Sequence, residues 1–253
     1  MTTHSPIALI TGGNRGLGRH AALALARQGT DIMLTYRRHA DEAQQVVAEI
    51  EALGRQAVAL PLDISSDPFP TFANQVRETL ADHWQRTQFN FLLNNAGAGT
   101  TAAFADTTAA QFDQMVAIHV KGPFFLTQAL LPLLTDGGRI LNVSSGLTRF
   151  ALPGYAAYAM MKGAMEVLTR YQAKELGARG ISVNTLAPGA IETDFGDGAV
   201  RDNAGLNALV ASNTALGRAG LPDDIGGVVA ALLASGSGWI NAQRIEASGG
   251  MFL

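Results

Sequence analysis

The chain has 253 residues, with 18 Lys and Arg against 21 Asp and Glu, giving a formal charge of −3. Apolar residues make up 47% and charged residues 15%, which excludes a disordered chain, and 28 glycines without a Gly-X-Y period exclude a collagen-like one. The absence of cysteine excludes disulfides, thiolate metal sites and a cysteine nucleophile, and a pI near 5.9 offers no general attraction to nucleic acid or anionic membranes.

In chain order, short apolar runs alternate with longer helical patterns. Residues 7–10 read as a strand, 17–27 as a helix, 31–36 as a strand and 41–53 as a helix. Then come a strand at 57–62, a helix at 69–83 and a strand at 89–94. A long helical region over 109–134 precedes a strand at 139–143, a helix at 155–176 and a strand at 181–186. A helix at 223–234 and a short strand at 244–246 close the chain. This alternation predicts an α/β fold: a doubly wound parallel sheet, Rossmann-like, of about seven strands with helices on both faces. No linker, repeat or charge block divides the sequence, so residues 1–253 are expected to form a single domain. The N-terminal run MTTHSPIALITGG lacks the basic start and apolar core of a secretory signal. The most apolar stretch, 122–134, is interrupted by Pro123, Thr127, Gln128 and Pro132, so no membrane span is expected. The expected location is the cytoplasm.

In such sheets ligands bind beyond the carboxyl ends of the strands, so the turns there are where chemistry is sought. After the first strand stands Thr11-Gly12-Gly13-Asn14-Arg15-Gly16-Leu17-Gly18. Its glycines permit a tight turn and close approach of backbone to a pyrophosphate, which the following helix N-terminus attracts. The spacing is G-x-x-x-G-x-G, and the bland alternative is a turn that binds nothing. The second strand ends in Tyr36-Arg37-Arg38, where an NAD enzyme usually has an acid for the ribose hydroxyls. Cations here, with Arg15 nearby, suit the 2′-phosphate of NADP(H); NAD(H) remains the second choice. Asp63 and Ile64 follow the third strand and Asn95 and Gly97 the fourth; each is also an ordinary turn residue.

Tyr158 and Lys162 are spaced i, i+4, so both leave one helix face. A neighbouring ammonium, together with the positive charge of an oxidised nicotinamide, favours the phenolate and is expected to lower the tyrosine pKa, making it a general acid or base toward a ketone or alcohol. Ser144 and Ser145 end the fifth strand; Ser145 is the expected donor to the substrate oxygen, its neighbour a turn residue. The five histidines, at 4, 20, 39, 83 and 119, show no metal-ligand spacing, so no metal is expected.

Taken together TGGNRGLG, NNAG, the serine pair at 144–145, YAMMK and PGAIET resemble the short-chain dehydrogenase/reductase family, from Ile7 to the end of the chain. The resemblance implies hydride transfer, an NADPH-dependent oxidoreductase converting a ketone to a secondary alcohol, and a homotetramer or dimer pairing helices 109–134 and 155–176. It assigns Ser145 to the substrate carbonyl, Tyr158 to proton transfer, and Lys162 to the nicotinamide ribose. Gly12, Asn14, Arg15, Gly16, Leu17 and Gly18 would wrap the phosphates, with Tyr36 and Arg37 at the ribose and Asp63 and Ile64 at the adenine. Asn95 and Gly97 would adjoin the adenosine ribose; Ile191 and Thr193 would face the carboxamide and diphosphate. Two alternatives stand beside the ketone reductase: a 3-oxoacyl-carrier-protein reductase and a non-catalytic dinucleotide sensor.

The sequence departs from the family pattern at His119, where an asparagine usually holds a relay water. His119 either replaces it in the relay or is a structural histidine bonded to backbone. Ala247-Ser248-Gly249-Gly250 lacks the usual acid before Gly-Gly, which reads as a packing or interface variation without catalytic meaning. Residues 194–214 stand where the family carries a mobile lid. Phe150, Leu152, Tyr155 and Phe195 are candidates for an apolar pocket, about half of them expected in the core instead.

Overall fold

In the computed structural model, which describes residues 5–233 and 236–253, seven parallel strands form one sheet in the order β3-β2-β1-β4-β5-β6-β7. The strands are β1 Ile7–Ile10, β2 Asp31–Tyr36, β3 Ala57–Pro61, β4 Phe89–Asn94, β5 Leu134–Val143, β6 Ser182–Pro188 and β7 Arg244–Ala247. The helices are α1 Gly16–Arg27, α2 Ala40–Ala52, α3 Phe69–Trp84, α4 Ala109–Val116, α5 Gly122–Leu130, α6 Ala156–Leu176, α7 Ala199–Asp202, α8 Ala204–Ser212 and α9 Pro222–Leu233.

β1 shows why the strands read as unbroken apolar runs: all four residues are fully buried, because helices cover both faces of a parallel sheet. Ile7 and Leu9 join one core cluster with α3 to α6, while Ala8 and Ile10 join the other with α1, α2 and α9. Successive side chains point to opposite faces, so four residues serve two cores. Replacing Ile10 with Ala would cost about 2–5 kcal/mol. Gly226 sets the approach of α9 to α1, since a Cβ there would stand 2.7 Å from the His20 carbonyl oxygen.

Three segments differ from the sequence expectation. β5 begins at Leu134, not 139, and carries Asp136-Gly137-Gly138 within the strand through a register shift against Phe89–Phe91. The long helix is broken: α4 passes into a π-turn at Ala117–Lys121, then α5 and a short 3₁₀ turn. By length and composition alone Ala109–Leu133 is apolar enough to cross a bilayer. Its Met115, Ile118, Leu126 and Leu130 pack into the protein core. The expected lid loop carries α7 and α8, because Asn203 caps a largely Ala/Leu/Val run through Leu206 N–H (2.9 Å), while Gly196 and Gly198 stand before α7. The last helix was expected to reach Ala234, which, like His4, lies outside the described residues.

Chain connections leave β1 and β4 in opposite directions, and the crevice between their carboxyl ends is the switch point where such sheets bind ligands. Every candidate turn lies along that edge.

Candidate functional site

A cavity of about 450 Å³ runs along the carboxyl edge of the sheet. Its first half is built on the glycine-rich turn. Gly12 (φ 65°) and Gly16 (φ 53°) occupy left-handed backbone, and a Cβ on Gly18 would overlap the Gly12 carbonyl and stand 2.7 Å from Asn95 Nδ2. The turn is pinned from β4: Asn95 Nδ2 donates to the Thr11 and Gly12 carbonyls at 2.9 and 3.1 Å, and Thr11 Oγ1 accepts from the Asn95 and Ala96 N–H groups. No side chain caps the first turn of α1, so its orphan N–H groups are left for an anion.

Gly12, Asn14, Arg15, Gly16 and Leu17 line this half, with Arg37, Arg38 and His39 from the end of β2. His39 has a left-handed φ of 61°, a backbone strain that follows the arginine pair directly. Three expected contacts do not reach the cavity wall. Gly18 is behind the turn it allows to close; Tyr36 packs against the core; the Asp63 carboxylate folds onto its own turn, accepting from Ser65 N–H (2.9 Å) and Oγ (2.6 Å). Burial works to raise the Asp63 pKa, but the Ser65 bonds and the charges of Arg37 and Arg38 hold it below its ordinary value. The residues fit a dinucleotide: an uncapped helix N-terminus, a cradle that a Cβ would fill, and guanidinium groups where a 2′-phosphate would stand.

The middle of the cavity brings Ser145, Tyr158, Lys162 and His119 together. Ser144 is buried, with its hydroxyl given to Glu166 Oε1 (2.8 Å) and the Lys162 carbonyl (3.2 Å), and the Ser145 hydroxyl accepts from the Leu147 N–H (3.2 Å) and lines the cavity with Tyr158. Lys162 Nζ donates to the Val143 carbonyl at 2.9 Å and lies 5.6 Å from the Tyr158 ring centre. The expected lowering of the Tyr158 pKa does not occur among the protein's own groups: burial raises it, against a smaller opposing effect of the Ser145 hydrogen bond. The same burial pushes Lys162 down to about 8. Desolvation governs, so the phenol keeps its proton.

His119, on the π-turn, stands edge-on to Tyr158 with ring centres 5.3 Å apart. Its Nε2 meets the Ala98 carbonyl oxygen at 2.7 Å, which makes it the donor and leaves Nδ1 as an acceptor. Nδ1 is buried without a protein partner. Burial, with the Lys162 charge second, drives the His119 pKa down to about 3, so the ring is neutral. Gly97 makes room for it: a Cβ there would be 2.9 Å from His119 Cε1.

In the second half, Phe150, Leu152, Tyr155 and Phe195 all line the cavity, so none is merely a core aromatic. Phe195 sits 5.7 Å from the Tyr158 ring and closes over Gly99, where a Cβ would meet its ring at 3.1 Å. Ile191 and Thr193 line the junction of the halves, and the Thr193 side chain lies 3.8 Å from where a Gly16 Cβ would be. Sequence reasoning missed Val200, Leu206 and Val210 of the lid and Met251 of the tail, all on the wall. The tail is therefore more than packing: Gly249 and Gly250, both with positive φ, turn it back toward the cavity. Only the Gly-Gly pair signalled that reversal.

A family model described as enoyl-(acyl carrier protein) reductase matches residues 12–252. Hydroxynaphthalene reductase arp2 of Aspergillus fumigatus is 32% identical over 94% of this chain and 89% of its own. Two solved structures superpose closely. The reductase LugOII, which catalyses keto-reduction in lugdunomycin biosynthesis, has a TM-score of 0.93 at 36% identity, with 98% of each chain covered. The angucycline C-6 ketoreductase LanV with bound NADP has a TM-score of 0.92 at 34% identity, covering 98% of this chain and 95% of its own.

Proposed function

The chain belongs to the short-chain dehydrogenase/reductase family, and we propose that it is an NADPH-dependent ketoreductase acting on bulky, fused-ring aromatic ketones. The observation that carries this is that Ser145, Tyr158 and Lys162 meet in one cavity with an aromatic wall of Phe150, Tyr155 and Phe195. Two relatives support the substrate class, since arp2 is named a hydroxynaphthalene reductase and LanV an angucycline ketoreductase.

Bound NADPH supplies a hydride to the carbonyl carbon. The phosphates would be held by Gly12, Asn14, Arg15, Gly16 and Leu17, and the 2′-phosphate by Arg37 and Arg38. Ile64, Asn95 and Gly97 flank the adenosine, and Ile191 and Thr193 the nicotinamide end. Ser145 Oγ orients the carbonyl oxygen, and Tyr158 delivers its proton there as hydride arrives at carbon; ketone, hydride and proton together give the secondary alcohol. The raised Tyr158 pKa suits this direction because the acid is protonated at neutral pH. Lys162 holds the nicotinamide ribose and carries its charge below about pH 8. His119, neutral and with a free acceptor beside Tyr158, takes part in returning the proton.

The reading includes a cytoplasmic homo-oligomer. Phe124 and Phe125 on α5 and Met160, Val167 and Tyr171 on α6 are exposed apolar side chains on the two helices expected to pair. Light scattering on the purified protein tests it, with a monomer as the opposing result. The decisive assay is initial rates of NADPH and NADH oxidation with 2-tetralone, an acyclic aliphatic ketone and a 3-oxoacyl thioester. Dominant NADPH turnover with tetralone is expected; preference for the thioester would replace the substrate class, and cofactor binding without turnover would make the protein a sensor.

A further inference from the structure

Glu166 stands one turn beyond Lys162 and two beyond Tyr158 on α6, so the three share a helix face. Its Oε1 accepts from Ser144 Oγ (2.8 Å), Thr148 Oγ1 (2.7 Å) and Arg244 Nε (2.8 Å). Arg244, on β7, reaches the Ser145 carbonyl with Nη2 (3.3 Å) and Glu246 Oε2 with Nη1 (2.8 Å). Glu246 in turn accepts from Arg149 Nε (2.9 Å) and Nη2 (2.7 Å). Arg149 completes the line by donating to the Met251 and Phe252 carbonyls at 2.6 and 2.9 Å.

Two carboxylates and two guanidiniums thus alternate from behind Ser145 to the C-terminal tail. Their side chains are 17–37% exposed, a setting where hydrogen-bonded pairs are screened less than on the open surface. The tail is tied also to the exit of the lid: Phe252 N–H donates to the Asn213 carbonyl (2.9 Å), and Ala215 and Leu216 N–H to Gly250 and Gly249 (3.2 and 3.1 Å). Phe252 stacks on Phe150 at 4.7 Å between ring centres, and Met251 and Phe150 both face the cavity. None of the hydrogen bonds of these four charged groups goes to the glycine-rich turn or to Asn95.

We propose that Glu166, Arg244, Glu246 and Arg149 are positioning residues forming one frame that holds the Ser145 turn and the Met251–Phe252 wall in register, and that this frame serves the substrate half alone. It rests on the ketoreductase reading for its kinetic consequence but not for its structural one.

Hydrogen exchange on the full-length protein tests the structural claim without any substrate. Glu246→Gln keeps the side-chain size but removes the charge shared by both arginines. It should raise exchange by about tenfold in both 145–150 and 249–253 while leaving 12–18 unchanged, with Arg149→Lys falling between it and the wild type. Loosening of the tail alone, or of neither segment, overturns the frame. On the kinetic side, kcat/KM for the ketone should fall by about tenfold while the NADPH dissociation constant stays within about twofold. An equal loss of NADPH affinity overturns the restriction to the substrate half. Should Glu246→Gln not fold, Arg149→Met cuts the frame at its outer end and carries the same measurements. A wild-type protein that reduces no ketone would refute the functional reading while exchange still decides the frame.

Discussion

The two halves of the cavity are held by different physics. The cofactor half is made of backbone: the turn at residues 11–18 is shaped by positive φ and by contacts too close for a Cβ, and Asn95 bonds it to β4. The substrate half is made of side chains carried by α7, α8, the 146–152 turn and the tail, whose cluster of Val210, Ala219 and Met251 is small beside the two main cores. Backbone geometry tolerates little change because a carbonyl or N–H cannot be replaced by substitution, whereas a side-chain wall can be rebuilt residue by residue. One fold can therefore keep its cofactor while its substrate varies.

Three substitutions bear on that contrast. At the seam, Tyr158→Phe removes the proton donor without touching the cofactor turn. Turnover should fall by about 10³-fold with the NADPH dissociation constant within about twofold. Surviving turnover in stopped-flow NADPH oxidation would mean the proton comes from elsewhere. Within the cofactor half, Arg37→Asp should weaken NADPH by roughly 10- to 100-fold, the value of a charged hydrogen bond, and leave NADH nearly unchanged. Titration of both cofactors by fluorescence checks it; equal loss would move the 2′-phosphate to Arg15 or Arg38.

The smallest effect lies at His119. Its folded pKa of about 3 is below the ordinary 6.5, so the unfolded chain takes up a proton first and stability is lost as pH falls from about 6.5. Between pH 6.5 and 5.5 this amounts to about 1 kcal/mol. His119→Asn should flatten that slope in urea melts at the two pH values, whatever it does to stability at pH 7. An unchanged slope would mean that another group carries the acid sensitivity.

Most of the cofactor half was legible in the sequence because its information is local. Gly12, Gly16 and Gly18 announce a backbone that needs no Cβ, and the alternation of short apolar runs with helical patterns announces the parallel sheet. Arg37 and Arg38 were readable because they adjoin a strand end. Less legible were the roles of residues whose partners are distant. Asp63 looked like a ligand contact and instead serves its own turn, and the lid, rich in glycine at one end, proved helical at the other.

By itself, then, the sequence determined the sheet, the dinucleotide turn and the meeting of Ser145, Tyr158 and Lys162 at one edge, since each follows from spacing along a strand, turn or helix. The tertiary structure alone decided what surrounds them. It buried Tyr158 deeply enough that desolvation raises its pKa. It left His119 neutral with one nitrogen bonded and one free, and brought Arg149 to Met251 and Phe252 across about a hundred residues of chain. Burial and long-range charge pairing depend on which surfaces the fold presses together, and no local spacing encodes that.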